Sequence, residues 1–207
     1  MGETNKPSDR RSWWVRLWQP GNKWLLGFPV GALVVFFAGA IAVIGSQVAI
    51  HESSTEQFCT SACHSMVFPA DEWRDSPHYK NTSGVRATCA DCHIPQTYPA
   101  KLIVKTRAGI VDVYNEIKGT IATREKFDAN RARMAEDVWD YMKKTDSREC
   151  RNCHSEEHFL LKDQPEKAAK AHVTGPEEGK TCIDCHKGIA HKTPDEIAEE
   201  QQGDAAP

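Results

Sequence analysis

The most continuous apolar stretch of the chain runs from Leu25 to Ile50, 26 residues without a charged side chain. At about 1.5 Å per residue, a helix of this length exceeds a hydrocarbon core of about 30 Å, so the pattern predicts a spanning helix. A cleaved signal peptide is the alternative, but its apolar region is usually about 7–15 residues long. The sequence therefore predicts one uncleaved membrane anchor over residues 25–50.

The charges on the two sides of this run differ. Residues 1–24 carry five Lys or Arg against two acidic side chains, and no Lys or Arg occurs between Lys23 and Arg74. Because cytoplasmic flanks are enriched in Lys and Arg, residues 1–24 are predicted to be a cytoplasmic segment. The expected location is then a bacterial inner membrane, crossed once, with the rest of the chain in the periplasm.

After the anchor, the spacing of apolar residues is typical of helices. Residues 98–144 contain two segments in which apolar side chains recur at helical intervals. Residues 194–207 are acidic and polar and are predicted to be disordered. The expected fold class is mainly α, with one N-terminal transmembrane helix followed by a small helical domain over residues 51–193.

Four cysteine pairs, each followed directly by a histidine, carry the chemistry of that domain. In a Cys-x-x-Cys-His motif the two thiols form thioethers to haem and the histidine is an axial ligand of the iron. The first pair has three intervening residues, a variant that still lets both sulfurs reach the ring. The pairs are Cys59 and Cys63, Cys89 and Cys92, Cys150 and Cys153, and Cys182 and Cys185, followed by His64, His93, His154 and His186.

Zinc sites and structural disulfides also use paired cysteines. Neither explains why a histidine follows every pair when the chain has only 9 histidines in 207 residues. Four covalently bound c-type haems are therefore predicted, and the domain should be packed around them rather than around an aliphatic core. The chain beyond residue 24 has 21 basic against 27 acidic residues, which disfavours nucleic-acid binding.

An internal repeat suggests that the domain consists of two dihaem halves. The residues Thr88–His93 match Thr181–His186 at the three motif positions, at the preceding threonine and at the aspartate between the cysteines. His78 and His172 precede these two motifs at similar distances. A haem that only transfers electrons is usually six-coordinate, so distal ligands are needed. His78, His172 and His191 are the candidates for them.

These residues resemble the NapC/NirT family of membrane-anchored tetrahaem quinol dehydrogenases, to which NrfH is related, and they are most similar to the NapC branch. The resemblance covers residues 20–193. It rests on the single anchor, the Cys-His-x-Met sequence of Cys63–Met66, and the runs 84–89, 149–154 and 181–191.

The resemblance implies oxidation of a membrane quinol, ubiquinol or menaquinol, and electron delivery to a periplasmic reductase. Nitrate reductase is the first expectation for that partner. The resemblance also makes Met66 a candidate ligand of the first haem, replacing or competing with His64. It places Lys105 and Asp112, two helical turns apart, in the quinol pocket. A carboxylate is needed there because quinol loses two protons with its two electrons.

Other functions remain open from the sequence. The chain could relay electrons between redox proteins, including another cytochrome c, without touching quinol. It could instead donate to a nitrite reductase or to an N- or S-oxide reductase, or reduce a substrate at an open haem. A homo-oligomer is a further expected assembly.

Overall fold

The apolar run forms helix α1, Val30–Glu52, in the computed structural model, which describes residues 24–25 and 28–204. Among the described residues, α1 is the one helix long and apolar enough to cross a membrane. At about 1.5 Å per residue, its 23 residues span about 34 Å, more than a hydrocarbon core of about 30 Å.

Helix α1 begins five residues later than the predicted start at Leu25. The residues before it form a short antiparallel ladder in which β1, Trp24–Leu25, pairs with β2, Phe28–Pro29. A helix that started at Leu25 would place Pro29 in its interior, where proline lacks the N–H donor and clashes with the preceding turn. The helix therefore begins just after the proline. The predicted cytoplasmic segment 1–24 lies outside the described residues, apart from Trp24.

The chain forms two compact units, which divide between His51 and Glu52. The second unit is helical, which agrees with the predicted mainly α fold. Short 3₁₀ turns occur at His64–Met66, Glu156–His158 and Leu161–Asp163. Its helices are α2 Glu56–Ala62, α3 Val67–Arg74, α4 Cys89–His93, α5 Ala100–Lys118, α6 Arg124–Lys144, α7 Arg148–Arg151, α8 Glu166–Glu177, α9 Cys182–Cys185 and α10 Pro194–Asp204.

The two long helices confirm the periodicity of residues 98–144. Helix α5 ends at Gly119, whose φ of 64° is left-handed and is readily adopted only by glycine. Helix α6 begins after Thr123, whose side chain accepts a hydrogen bond from the backbone N–H of Lys126. Helices α9 and α10 both contact α6, so α6 organises the carboxyl-terminal part of the unit.

The internal repeat has a structural counterpart in two identical helix starts. Thr88 and Asp91 form a reciprocal capping box at α4, and Thr181 and Asp184 form the same box at α9. In each, the aspartate accepts from the threonine backbone N–H at 2.8 Å. The matched Thr-Cys-x-Asp-Cys-His sequences therefore build the same local structure and present their cysteines in the same way.

The predicted disordered tail is instead helix α10 over most of its length, and residues 205–207 lie outside the described residues. Thr193 and Glu196 form a capping box, with Thr193 N–H to Glu196 Oε2 at 2.6 Å and Glu196 N–H to Thr193 Oγ1 at 3.3 Å. Pro194 occupies the first helical turn, where proline is favourable. Ile197 is buried, and α10 contacts α6. The capping signal and one apolar residue outweigh the polar composition.

Candidate functional site

Each cysteine pair is placed by a short helix, α2, α4, α7 or α9, with its histidine at or near the helix end. None of the eight cysteines forms a disulfide. Within the described part of the chain, no three or more His, Cys, Asp or Glu side chains converge as a metal cluster. The structure therefore gives no support to the disulfide and tetrahedral zinc alternatives.

Three of the four motif histidines face a second histidine ring. The ring centroids are separated by 5.9 to 6.3 Å. A metal–imidazole bond is about 2 Å long, so two imidazoles on opposite sides of one ion have centroids about 6 Å apart. The donor set and its spacing thus fit six-coordinate haem iron. The pairs are His93 with His191, His154 with His78, and His186 with His172.

All three histidines proposed as distal ligands from the sequence are therefore next to motif histidines. The pairing itself was not predictable from the repeat. His172 faces the histidine of the motif that follows it, whereas His78 faces His154 in the other half of the domain. His191, near the carboxyl end, faces His93 of the second motif. The two halves thus exchange ring partners instead of forming two separate dihaem units.

The His93 and His191 rings are held in their neutral form. The pKa of His93 is lowered to about 4, mainly by desolvation and also by His191, while Glu149 opposes the shift. Although His93 is exposed at its surface, enough protein atoms lie around the ring to desolvate it. Burial also lowers the pKa of His191, whose Nδ1 is buried without a hydrogen-bond partner. Neutral imidazole is the form that binds a metal.

Hydrogen bonds orient the other two distal rings. His172 Nδ1 is 2.6 Å from Gln164 Oε1, and His78 Nδ1 is 3.3 Å from the Ile189 carbonyl. Both oxygens can only accept, so Nδ1 carries the proton and donates in each ring. The lone pair then lies on Nε2, which is left to bind iron. This is the usual arrangement around a metal-bound histidine.

The first motif differs from the other three. His64 Nδ1 lies 2.6 Å from Glu116 Oε1, and its Nε2 lies 3.2 Å from the Ala122 carbonyl. Glu116 also accepts from the His64 backbone N–H at 3.1 Å and from the Ser65 hydroxyl. Both ring nitrogens of His64 thus face acceptor oxygens, which occupy the directions from which iron would approach the ring. Met66, half-buried in the same 3₁₀ turn, is the other soft donor near this motif.

The two residues expected in the quinol pocket lie on α5 beside the first motif. Lys105 Nζ donates to the Ser53 carbonyl, and burial lowers the pKa of Lys105. Although much of Asp112 is exposed, the atoms around its carboxyl raise its pKa by desolvation, opposed by the Lys105 charge. Burial raises the pKa of the Cys59 thiol. The Lys105 charge lowers this pKa and the Asp112 charge raises it, so both charged groups lie near this cysteine.

The sequence analysis did not identify Glu116, Glu72 or Arg131 as part of the site. Glu116 lies four residues after Asp112 and therefore on the same side of α5, which was a usable signal. Glu72 and Arg131 are 59 residues apart, and nothing in their local sequence shows that they form a buried pair.

The profile of the NapC/NirT cytochrome c family, N-terminal region, matches residues 23–196. The chain belongs to this family. It is therefore a membrane-anchored c-type cytochrome of electron transport that carries covalently bound haem c. No solved structure matches the chain.

Three bacterial relatives are similar in sequence to this chain over most of their length. The putative tetraheme cytochrome-c type protein of Allochromatium vinosum is 45% identical over 82% of this chain and 91% of its own. NapC of Escherichia coli K12 is 42% identical over 94% and 96%. The denitrification system component NirT of Stutzerimonas stutzeri is 42% identical over 89% of this chain and 90% of its own.

Proposed function

We propose that this protein oxidises a membrane quinol and passes the electrons, one at a time, to a periplasmic reductase. Membership of the NapC/NirT family supports electron transport at a membrane. The observation that carries the quinol step is the position of Lys105 and Asp112 beside the first cysteine pair. A substrate bound there would lie next to the haem nearest the membrane anchor in the sequence.

The residues proposed to hold four haems are those of the four motifs and their ring partners. Haem bound there supplies one-electron chemistry, which the side chains of this protein lack. The eight motif cysteines would form the thioethers. The three histidine pairs, with spacings of 5.9 to 6.3 Å, would supply both axial ligands at the second, third and fourth sites.

At the first site we assign the protein ligand to Met66 instead of His64. Support comes from the two acceptors, Glu116 and the Ala122 carbonyl, that occupy both ring nitrogens of His64. A site with methionine as its protein ligand and no histidine opposite keeps one side of the haem accessible. That accessibility suits the site at which an external donor hands over electrons.

Asp112 is the proposed proton acceptor. Oxidation of a quinol to a quinone releases two electrons and two protons, and a positioned carboxylate accelerates such a transfer by about 10²–10⁴-fold. Desolvation raises the pKa of Asp112 and so makes its carboxylate a stronger base than an exposed aspartate. The ammonium group of Lys105, two turns away, keeps enough of the carboxylate ionised to accept a proton.

The proposed partner is a periplasmic reductase, with nitrate reductase first because the chain matches NapC over 94% of its length. The proposed orientation follows the basic segment 1–24, which places the amino terminus in the cytoplasm and the haem domain in the periplasm. Ubiquinol and menaquinol are both candidate donors, and a passive relay between proteins is the alternative.

The test is stopped-flow absorbance of the detergent-purified holoprotein mixed anaerobically with ubiquinol and menaquinol analogues. Rapid haem reduction by a quinol is expected, and D112N should slow it about 10²-fold or more. The matched control is D137N, because Asp137 is an exposed carboxylate on α6 whose ion pair is with Arg133 at 3.3 Å. If dithionite reduces the haems and neither quinol does, the chain is a relay and the proposal fails.

A further inference from the structure

Helix α5 carries a row of exposed apolar side chains. Ile103, Ile110 and Ile117 recur every seven residues and are 63%, 68% and 81% exposed. Leu102, Val113 and Tyr114 flank them and are exposed as well. Residues seven apart lie on the same side of a helix, so these six form one continuous strip, here called the apolar stripe.

The apolar stripe is separate from the side of α5 that faces the first motif. Successive helical residues are rotated by about 100°, so residues two positions apart differ by about 200°, or about 160° the shorter way round. Ile110 therefore points to nearly the opposite side of the helix from Asp112. Ile103 and Lys105 are related in the same way. None of the α5 side chains is buried, so no described part of the protein covers the stripe. An uncovered apolar strip of this length is typical of a surface that contacts something else.

The contact between Lys105 and Ser53 indicates what the stripe meets. Ser53 directly follows Glu52, the last residue of the membrane-spanning helix α1, and its carbonyl accepts from Lys105 Nζ. Lys105, in the amino-terminal half of α5, is thus bonded to the residue that follows the spanning helix in the sequence.

The charge of α5 also suits a lipid surface. The helix carries four basic residues, Lys101, Lys105, Arg107 and Lys118, against Asp112 and Glu116, a net charge of +2. The chain after residue 24, taken as a whole, is acidic, with 21 basic against 27 acidic residues. A basic helix with an apolar side is typical of segments that lie in the membrane interface beside anionic lipids. Tyr114 on the stripe fits the same depth.

We propose that α5 lies along the periplasmic surface of the membrane, with the apolar stripe at the boundary between headgroups and acyl chains. The protein would then have two membrane contacts, the spanning helix α1 and the surface-bound α5. The second contact would hold Lys105 and Asp112 at the edge of the bilayer. This contact does not require that quinol be oxidised, so either proposal can fail without the other.

Cysteine accessibility in nanodiscs tests the contact. The full-length holoprotein is placed at one copy per disc in phosphatidylcholine and phosphatidylglycerol, with single variants I103C, I110C and I117C. A charged, membrane-impermeant maleimide labels each thiol, and labelling after denaturation sets the maximum. The control is L160C, because Leu160 is 64% exposed, like the stripe residues, but lies outside α5. Labelling of the three stripe positions is expected to be at least about tenfold slower than labelling of L160C.

Equal labelling of stripe and control positions would overturn the proposal. Protection that needs a second copy or an added reductase, and is absent in discs holding one chain, would also overturn it in favour of a protein contact. Haem content of each variant shows whether it has folded. Hydroxyl-radical footprinting of the unsubstituted chain provides a second measurement, in which Ile110 and Tyr114 should be oxidised less than Leu160.

Discussion

Arg131 and Glu72 form a buried ion pair that holds the loop carrying His191. Arg131 Nη1 and Nη2 donate to the two carboxylate oxygens of Glu72 at 2.9 and 2.7 Å, and both side chains are 6% exposed. The same two side chains also bind the backbone of Lys192. Arg131 Nη1 donates to the Lys192 carbonyl, and the Lys192 N–H donates to Glu72 Oε2, both at 3.0 Å. The peptide next to His191 is thus held on both sides.

The variant R131L should therefore be strongly destabilised and should release His191. Removing one partner of a buried ion pair costs about 3–5 kcal/mol, because the remaining charge is left without compensation. R131L also removes Arg131 from Asp128, which it binds at 2.6 Å. Arg124 lies 3.0 Å from Glu72 and 2.9 Å from Asp128 and offsets part of both losses, so we expect a value near the lower limit. That is a large share of the roughly 5–15 kcal/mol by which proteins of this size are stable. The hydrogen bond to the Lys192 carbonyl is lost as well.

The double variant E72L/R131L separates the two effects. Replacing both charges with apolar groups of similar size is often neutral for stability, so the unfolding midpoint should recover towards that of the unsubstituted protein. His191 would still lack its support, because no group remains to hold the Lys192 peptide. Additional high-spin haem, beyond the amount that the first site contributes in the unsubstituted protein, is therefore expected in both variants.

The assay combines guanidinium unfolding followed at the Soret band with electron paramagnetic resonance of the oxidised protein. R133L is the matched control, since Arg133 is on the same helix and its pair with Asp137 is exposed. Exposed pairs contribute about 0–1 kcal/mol. The reasoning would be refuted if R131L lost no more stability than R133L. It would also be refuted if the double variant showed no more high-spin haem than the unsubstituted protein.

Two further predictions concern the residues around the haem sites. The rate of quinol oxidation should fall as pH decreases through the raised pKa of Asp112, because only the ionised carboxylate accepts a proton. The variant K105M removes the positive charge that lowers this pKa. It should therefore move the acid limb of the stopped-flow pH profile to higher pH. The variant Q164L removes the acceptor for His172 Nδ1–H and makes that ring a weaker donor to iron. Redox titration should then show one haem whose midpoint potential rises by tens of millivolts, where about 59 mV is a tenfold change in the equilibrium constant of a one-electron couple. An unchanged potential would contradict the hydrogen-bond argument.

The parts of the fold that depend on local sequence were predictable. The apolar run gave the anchor, and the periodicity of residues 98–144 gave α5 and α6. Composition alone places the start of α1 too early, because it takes no account of the backbone restriction at Pro29. Composition also predicts disorder in the tail, where the capping box of Thr193 and Glu196 is a local signal for a helix within a polar segment.

The candidate site was predictable as a set of residues and not as an arrangement. Each motif identifies its own cysteines and histidine, so no long-range information is needed to name them. Which distal histidine faces which motif depends on contacts between distant parts of the chain, such as His93 with His191. The same holds for His64, since its hydrogen bond to Glu116 joins residues 52 positions apart. Spacing along the sequence carries no record of such contacts.

The histidine pairs also bear on how a domain with so small an apolar core is held together. The buried apolar side chains among the described residues are few and include Trp73 and Phe127. The pair His93–His191 joins positions 98 residues apart, whereas His172–His186 joins positions only 14 apart. Loop-closure entropy grows as (3/2)RT ln n, so a bond across the longer loop constrains the unfolded chain by about 1.7 kcal/mol more. Ligands that join the two halves would therefore stabilise the fold most. The buried Glu72–Arg131 pair lies beside one of those ligands, where a loss of positioning would loosen both the haem site and the connection between the halves.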